Sequence, residues 1–120
     1  MKTSYWSKTS IRTLVAASLV QCAWLVQAGT GLEAQATSAT HTIVIADMKF
    51  TPETLTVRPG DTVVWVNKDF FPHTATARDG TFDSGDIPTS KSWKYTTTKK
   101  GTFLYICTLH PTMKAALMVK

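Results

Sequence analysis

The sequence has little of what small exported domains usually rely on. Its 120 residues contain two cysteines, Cys22 and Cys107, and Cys22 lies in an N-terminal segment that reads as removable. One cysteine then remains, which excludes an internal disulfide as the staple of the domain. A free thiol in an oxidising compartment is a liability unless something occupies it, and metal ligation would do so. Helical periodicity is missing over any useful length beyond the N-terminal segment, which argues against a bundle or an α/β fold. Charge of one sign is also scarce. The formal +5 of the whole chain falls, over residues 37–120, to ten Lys and Arg against seven Asp and Glu. That balance suits an acidic partner but is too mild and too scattered for nucleic acid. No repeat, low-complexity tract or second domain is evident.

Residues 1–36 read as a secretory signal peptide. Lys2, Lys8 and Arg12 form a positive start, Thr13 to Val26 is mostly apolar, and two small-residue cleavage sites follow, after Ala28 and after Ala36. The apolar run is shorter than the roughly 20 residues of a membrane span and is broken by Gln21. Gln21 before Cys22 argues against lipid attachment, and no Arg-Arg pair precedes the run. Residues 37–120 are then one exported domain, acquiring any metal outside the cytoplasm. A domain of this size buries about 60–65% of its unfolded surface, leaving room for one small site and none for a deep substrate cleft. No stable membrane insertion is expected after cleavage.

Within that domain, apolar residues recur with period two or in short β-branched runs. Strands are expected at His41–Ala46, Leu55–Val57, Asp61–Asn67, Ser90–Thr98, Gly101–Cys107 and Ala115–Lys120, with a short segment at His73–Ala77. Val63, Trp65 and Asn67 share one face of the clearest strand, and Trp93 and Tyr95 share a face of another. Trp65 and Phe103 are expected in the core. About seven short strands with Pro/Gly punctuation predict an all-β, antiparallel sandwich or barrel.

The chemistry concentrates in Cys107-Thr108-Leu109-His110-Pro111-Thr112-Met113, with His73 far upstream. Cys107 ends one strand and Ala115 begins the next, so a tight loop can turn Cys107, His110 and Met113 toward one point. His73 can reach that point from across the sandwich. Two imidazoles, one thiolate and a weak axial thioether describe an electron-transfer copper site. Thiolate and thioether are soft and suit Cu(I), imidazole suits both oxidation states, and a stiff β framework keeps reorganisation small.

The sequence resembles the cupredoxin family, and within it the plastocyanin, pseudoazurin and amicyanin group. The likeness runs through Phe50-Thr51-Pro52, Pro59 to Asn67, Pro72-His73 and Gly101 to Cys107, essentially all of residues 41–120. The short Cys-x-x-His-x-x-Met loop is similar to amicyanin in particular. The resemblance implies a Greek-key sandwich of seven or eight strands and one type 1 copper ion on His73, Cys107, His110 and Met113. It implies a periplasmic, monomeric electron carrier, not an enzyme, working between redox proteins such as a c-type cytochrome or a dehydrogenase. Two positions depart from the family pattern: Thr74 stands where many members have Asn, and Ala115 where Gly is common. These bear on the redox potential more than on the metal. The Thr74 N–H could still bond the Cys107 sulfur.

Other readings fit less well. A cysteine hydrolase using Cys107 lacks a third group and a cleft, and leaves Met113 without a role. A structural zinc site normally takes four Cys/His ligands, and the sequence offers three. A periplasmic copper carrier or store would use the same residues and differs only in releasing the metal. His41 reads as a surface residue. Phe70, Phe71, Leu109 and Pro111 sit in turns beside the ligands, as packing beneath the site or as an exposed apolar rim. His110, in mid-loop, is the ligand expected nearest the surface.

Overall fold

The computed structural model describes residues 34–120, so the expected signal peptide lies almost wholly outside the described residues. Eight strands follow in order: β1 (Thr40–Ala46), β2 (Lys49–Thr51), β3 (Thr54–Val57), β4 (Thr62–Asn67), β5 (Thr76–Ala77), β6 (Ser92–Thr96), β7 (Gly101–Ile106) and β8 (Lys114–Val119). They form two four-stranded sheets, β2-β1-β4-β6 and β3-β8-β7-β5. No helix occurs among the described residues.

The all-β architecture is the expected one, but the pairing is mixed. β1 runs parallel to β4 and β3 parallel to β8, while the remaining ladders are antiparallel. Alternation reports which face a residue takes, not the direction of its neighbour, so the parallel pairs were invisible to it. In β4, Val63, Trp65 and Asn67 are buried and their neighbours less so, the period-two pattern read from the sequence. β7 does the same with Phe103 and Tyr105, and carries the alternation one residue past its end to buried Cys107. Trp65 centres the core, 5.7 Å edge-on from Tyr105 and 5.5 Å from Phe82 by ring centroid. Burying side chains of this kind contributes about 1.5–3 kcal/mol each.

Two segments differ from expectation. His73–Ala77 is extended, but only Thr76–Ala77 is ladder; His73 makes an isolated bridge to Ile87 instead. β2 was not expected at all. It follows a turn at Asp47 and Met48, both at positive φ (51° and 59°). That backbone suits a two-residue hairpin but is usually signalled by Asn-Gly or Asp-Gly.

Candidate metal centre

Four residues expected to converge are carried by two loops. His73 follows the Phe70-Phe71-Pro72 turn, and its backbone is fixed by two hydrogen bonds with Ile87, at 3.2 and 2.7 Å. Cys107 lies just past β7 and Met113 just before β8. The loop between them closes on itself: Cys107 N–H donates to Met113 O at 3.1 Å, and Met113 N–H donates to His110 O at 2.9 Å. The register of β7 against β8, with Ile106 opposite Lys114, holds the loop ends side by side.

This framework brings three donor atoms together. Cys107 Sγ lies 3.6 Å from His73 Nδ1 and 3.8 Å from His110 Nδ1, and the two nitrogens are 3.2 Å apart. The point equidistant from the corners of that triangle is about 2 Å from each, close to the 2.0–2.3 Å bonds that imidazole nitrogen and thiolate make to a first-row metal ion. Among the described residues, His73, Cys107 and His110 form the one group of three or more His, Cys, Asp or Glu whose donors sit this close. Cys107 and His73 are fully buried, Met113 is nearly so, and His110 is half-buried. His110 is thus the nearest of the four to solvent, as its mid-loop position predicts. Met113 lies just before β8, at the end of the same loop, and is buried in the same core.

Around these atoms lies a shell of hydrogen bonds that sequence reasoning largely missed. The far nitrogen of His73, Nε2, is 2.9 Å from Asp69 Oδ2. That contact makes Nε2 the protonated nitrogen and leaves the Nδ1 lone pair free for a metal. Burial alone would raise the Asp69 carboxyl. The N–H groups of Met48 and Asp47 and the His73 ring outweigh it and hold the group below the usual carboxylate range. Asp69 therefore also caps the positive-φ turn before β2. Its own N–H donates to Asn67 Oδ1, and Asn67 Nδ2 donates to Phe71 O and Ile87 O, fixing both sides of the His73 loop. An acid four residues before a candidate ligand His was the available signal. Asn67 was placed on the correct face of β4 but not given this task.

Thr74 resolves one departure noted in the sequence. Its N–H donates to Cys107 Sγ at 3.3 Å, as expected. Its hydroxyl accepts the Thr108 N–H at 2.8 Å and lies 3.0 Å from Thr108 Oγ1. A threonine thus ties the His73 segment to the Cys107 loop by side chain and backbone together. Phe70, Phe71 and Leu109 are 90%, 60% and 46% exposed, and Pro111 is also exposed, so the turns form a rim and not an underlayer. Phe71 stands edge-on to His110 with ring centroids 6.5 Å apart. His41 is half-buried against Asp61, not a free surface residue.

Comparison with known proteins identifies the family. Amicyanin of Paracoccus denitrificans is 35% identical over 81 residues, 63% of this chain and 62% of that protein, so the match spans about three-fifths of that relative's length. Amicyanin-alpha of Methylorubrum extorquens is 29% identical over 91 residues, 72% of this chain and 76% of that protein. A solved amicyanin variant in its Cu(I) form superposes with a TM-score of 0.64 at 29% identity, over 68% of this chain and 82% of that one. The sequence profile of the cupredoxin-like domain matches residues 14–119. On that match, and on the two-sheet fold that carries the thiol and both imidazoles to one point, the chain belongs to the cupredoxin-like family.

Proposed function

We propose that this chain is an exported type 1 copper electron carrier, with copper held by His73, Cys107 and His110 and, more weakly, by Met113. The carrying observation is the near-equilateral triangle of one thiol sulfur and two imidazole nitrogens around a point at bonding distance from each. The donor set fits copper better than zinc: it offers one soft thiolate, two imidazoles and a thioether in place of a fourth strong ligand. Bound copper would supply a one-electron Cu(I)/Cu(II) couple at this point.

The chain's residues do the rest. Asp69 and Ile87 fix the His73 ring and backbone, Thr74 fixes the Cys107 sulfur, and the closed loop fixes His110. Held this way, the donors move little when charge changes, which keeps the barrier to electron exchange low. Burial of Cys107, His73 and Met113 keeps water from the sulfur and leaves His110 as the route to the surface. The apolar rim of Phe70, Phe71, Leu109 and Pro111 lets a redox protein approach that edge, in a small contact that releases quickly. We place the mature carrier, residues 37–120, in the periplasm as a monomer, exchanging electrons with a donor and an acceptor such as a dehydrogenase and a c-type cytochrome. A copper carrier or store would need its donors open to a delivering partner.

The test compares electron exchange with metal release. Copper should survive a competing chelator while electrons pass rapidly between oxidised and reduced protein. Leu109→Glu and Pro111→Glu should slow that exchange and leave the visible spectrum unchanged. Rates untouched by both changes would move the electron port away from His110. Ready loss of copper to the chelator would favour the carrier-or-store reading.

A further inference from the structure

The Thr74 hydroxyl is not the end of its network. Thr76 Oγ1 lies 3.1 Å from Thr74 Oγ1 and 3.0 Å from Asp83 Oδ1. A continuous chain therefore runs from Thr108 in the Cys107 loop, through Thr74 beside His73, through Thr76 on β5, to an exposed carboxylate. Thr74 and Thr76 share a face because they are two apart in extended chain. Asp83 is held opposite them by an isolated bridge to Thr76 and by Gly85 N–H, which donates to the same Oδ1 at 3.0 Å. Its neighbour Ser84 secures the loop, donating N–H to Ala75 O and accepting Ala75 N–H on its hydroxyl.

Counting protons gives this chain a polarity. Thr76 has one hydroxyl proton and two oxygens within reach, and a carboxylate is the stronger acceptor. With Asp83 charged, that proton goes outward. Without the charge it is free to turn inward onto Thr74 Oγ1, the atom that already accepts Thr108 N–H next to Cys107. One surface carboxylate thereby decides whether an extra donor points at the oxygen joining the two ligand-bearing segments.

We propose that Asp83 is a remote positioning residue for the metal centre, setting its redox equilibrium through the Thr76–Thr74–Thr108 hydroxyl chain. The proposal rests on the copper reading above for its electronic readout. Negative charge and outward-turned hydroxyls favour the more positive metal ion, so Asp83→Asn should raise the reduction potential. If the chain carries the effect, the rise should shrink in a Thr76→Val background, a non-additivity that independent sites do not show. It should also persist at about 1 M salt, where a direct interaction with an exposed charge is screened within about 3 Å.

A second measurement needs no copper. In the metal-free protein, Asp83→Asn should shift the amide resonances of Thr74 and Thr108, and Thr76→Val should abolish that response. Thr74→Val should speed hydrogen exchange at the Thr108 amide by about tenfold, the loss of one hydrogen bond, and Thr74→Ser should restore it. A potential that rises equally with and without Thr76, and that high salt returns to the wild-type value, would overturn the proposal in favour of simple surface charge. So would metal-free amide resonances that ignore Asp83. If the copper form of the wild type were not blue, the copper reading would fail by itself, and the amide measurements would still decide the chain.

Discussion

Two His–Asp pairs of nearly equal length occur among the described residues, and only one of them adjoins the cluster of a thiol and a second imidazole. His73 Nε2 is 2.9 Å from Asp69, and His41 Nε2 is 3.0 Å from Asp61. They lie near opposite ends of the parallel β1/β4 pair, His41 and Asp61 where the strands begin and Asp69 beyond where they finish. At the far end Asp61 is a structural hub. It accepts the N–H groups of Arg58 and Ala39 and the His41 ring, which together hold its carboxyl at about 2. A recess of about 470 Å³ beside it is lined by residues including Arg58, His41 and Lys120, but no group of three His, Cys, Asp or Glu donors forms there among the described residues. At the near end the second nitrogen of His73 faces a thiol and another imidazole, with the ring fully buried. A carboxylate that orients a histidine is therefore common scaffolding. What makes a centre is where the other ring nitrogen points.

The sharpest way to break this comparison is to remove the thiol. Cys107→Ser should abolish the blue colour of the copper form, whereas His41→Ala should leave it unchanged. Loss of colour in the His41 variant would mean that the far end contributes to the centre.

The next test acts on the far end alone. Folding holds the Asp61 carboxyl at about 2, below its usual 3.8. The stabilisation is thus complete above about pH 4 and is lost as pH falls through about 2, where the folded state must also take up the proton. Asp61→Asn should lower the melting temperature at neutral pH and flatten its dependence on acid, with the visible spectrum intact. A melting curve that keeps the wild-type acid dependence would remove Asp61 from its hub.

The smallest effect sharpens the description of the near end. Met113→Gln replaces a soft thioether with an amide oxygen, a better donor to Cu(II). The site should stay coloured and its reduction potential should fall, as read by voltammetry. An unchanged potential would exclude Met113 from the axial position.

The three donors that meet, His73, Cys107 and His110, were legible because each is marked locally: a lone cysteine, then His at a fixed step in one loop, and His73 after a proline turn. The strand faces were legible for the same reason, as Val63, Trp65 and Asn67 show. What escaped depends on contacts distant in sequence or on unadvertised turns. The parallel pairings join strands far apart in the chain. β2 hides behind Asp47-Met48, which lacks a turn dipeptide and takes its positive φ with the help of Asp69. Thr74 looked like a deficit because its residue type offers less than an amide. Only its position, 2.8 Å from Thr108 N, shows that a hydroxyl suffices. Asp83 carried no signal, being one exposed acid among several.

The central claim is that Cys107, His73 and His110 meet at one metal ion and that the ion is copper. The visible absorption and electron paramagnetic resonance spectra of the purified protein with one equivalent of Cu(II) test it most directly. The account predicts an intense blue band from thiolate-to-copper charge transfer, with the narrow copper hyperfine splitting of a strongly covalent Cu–S bond, and loss of both in Cys107→Ser. A colourless protein that prefers Zn(II), or a blue band that survives Cys107→Ser, would contradict it.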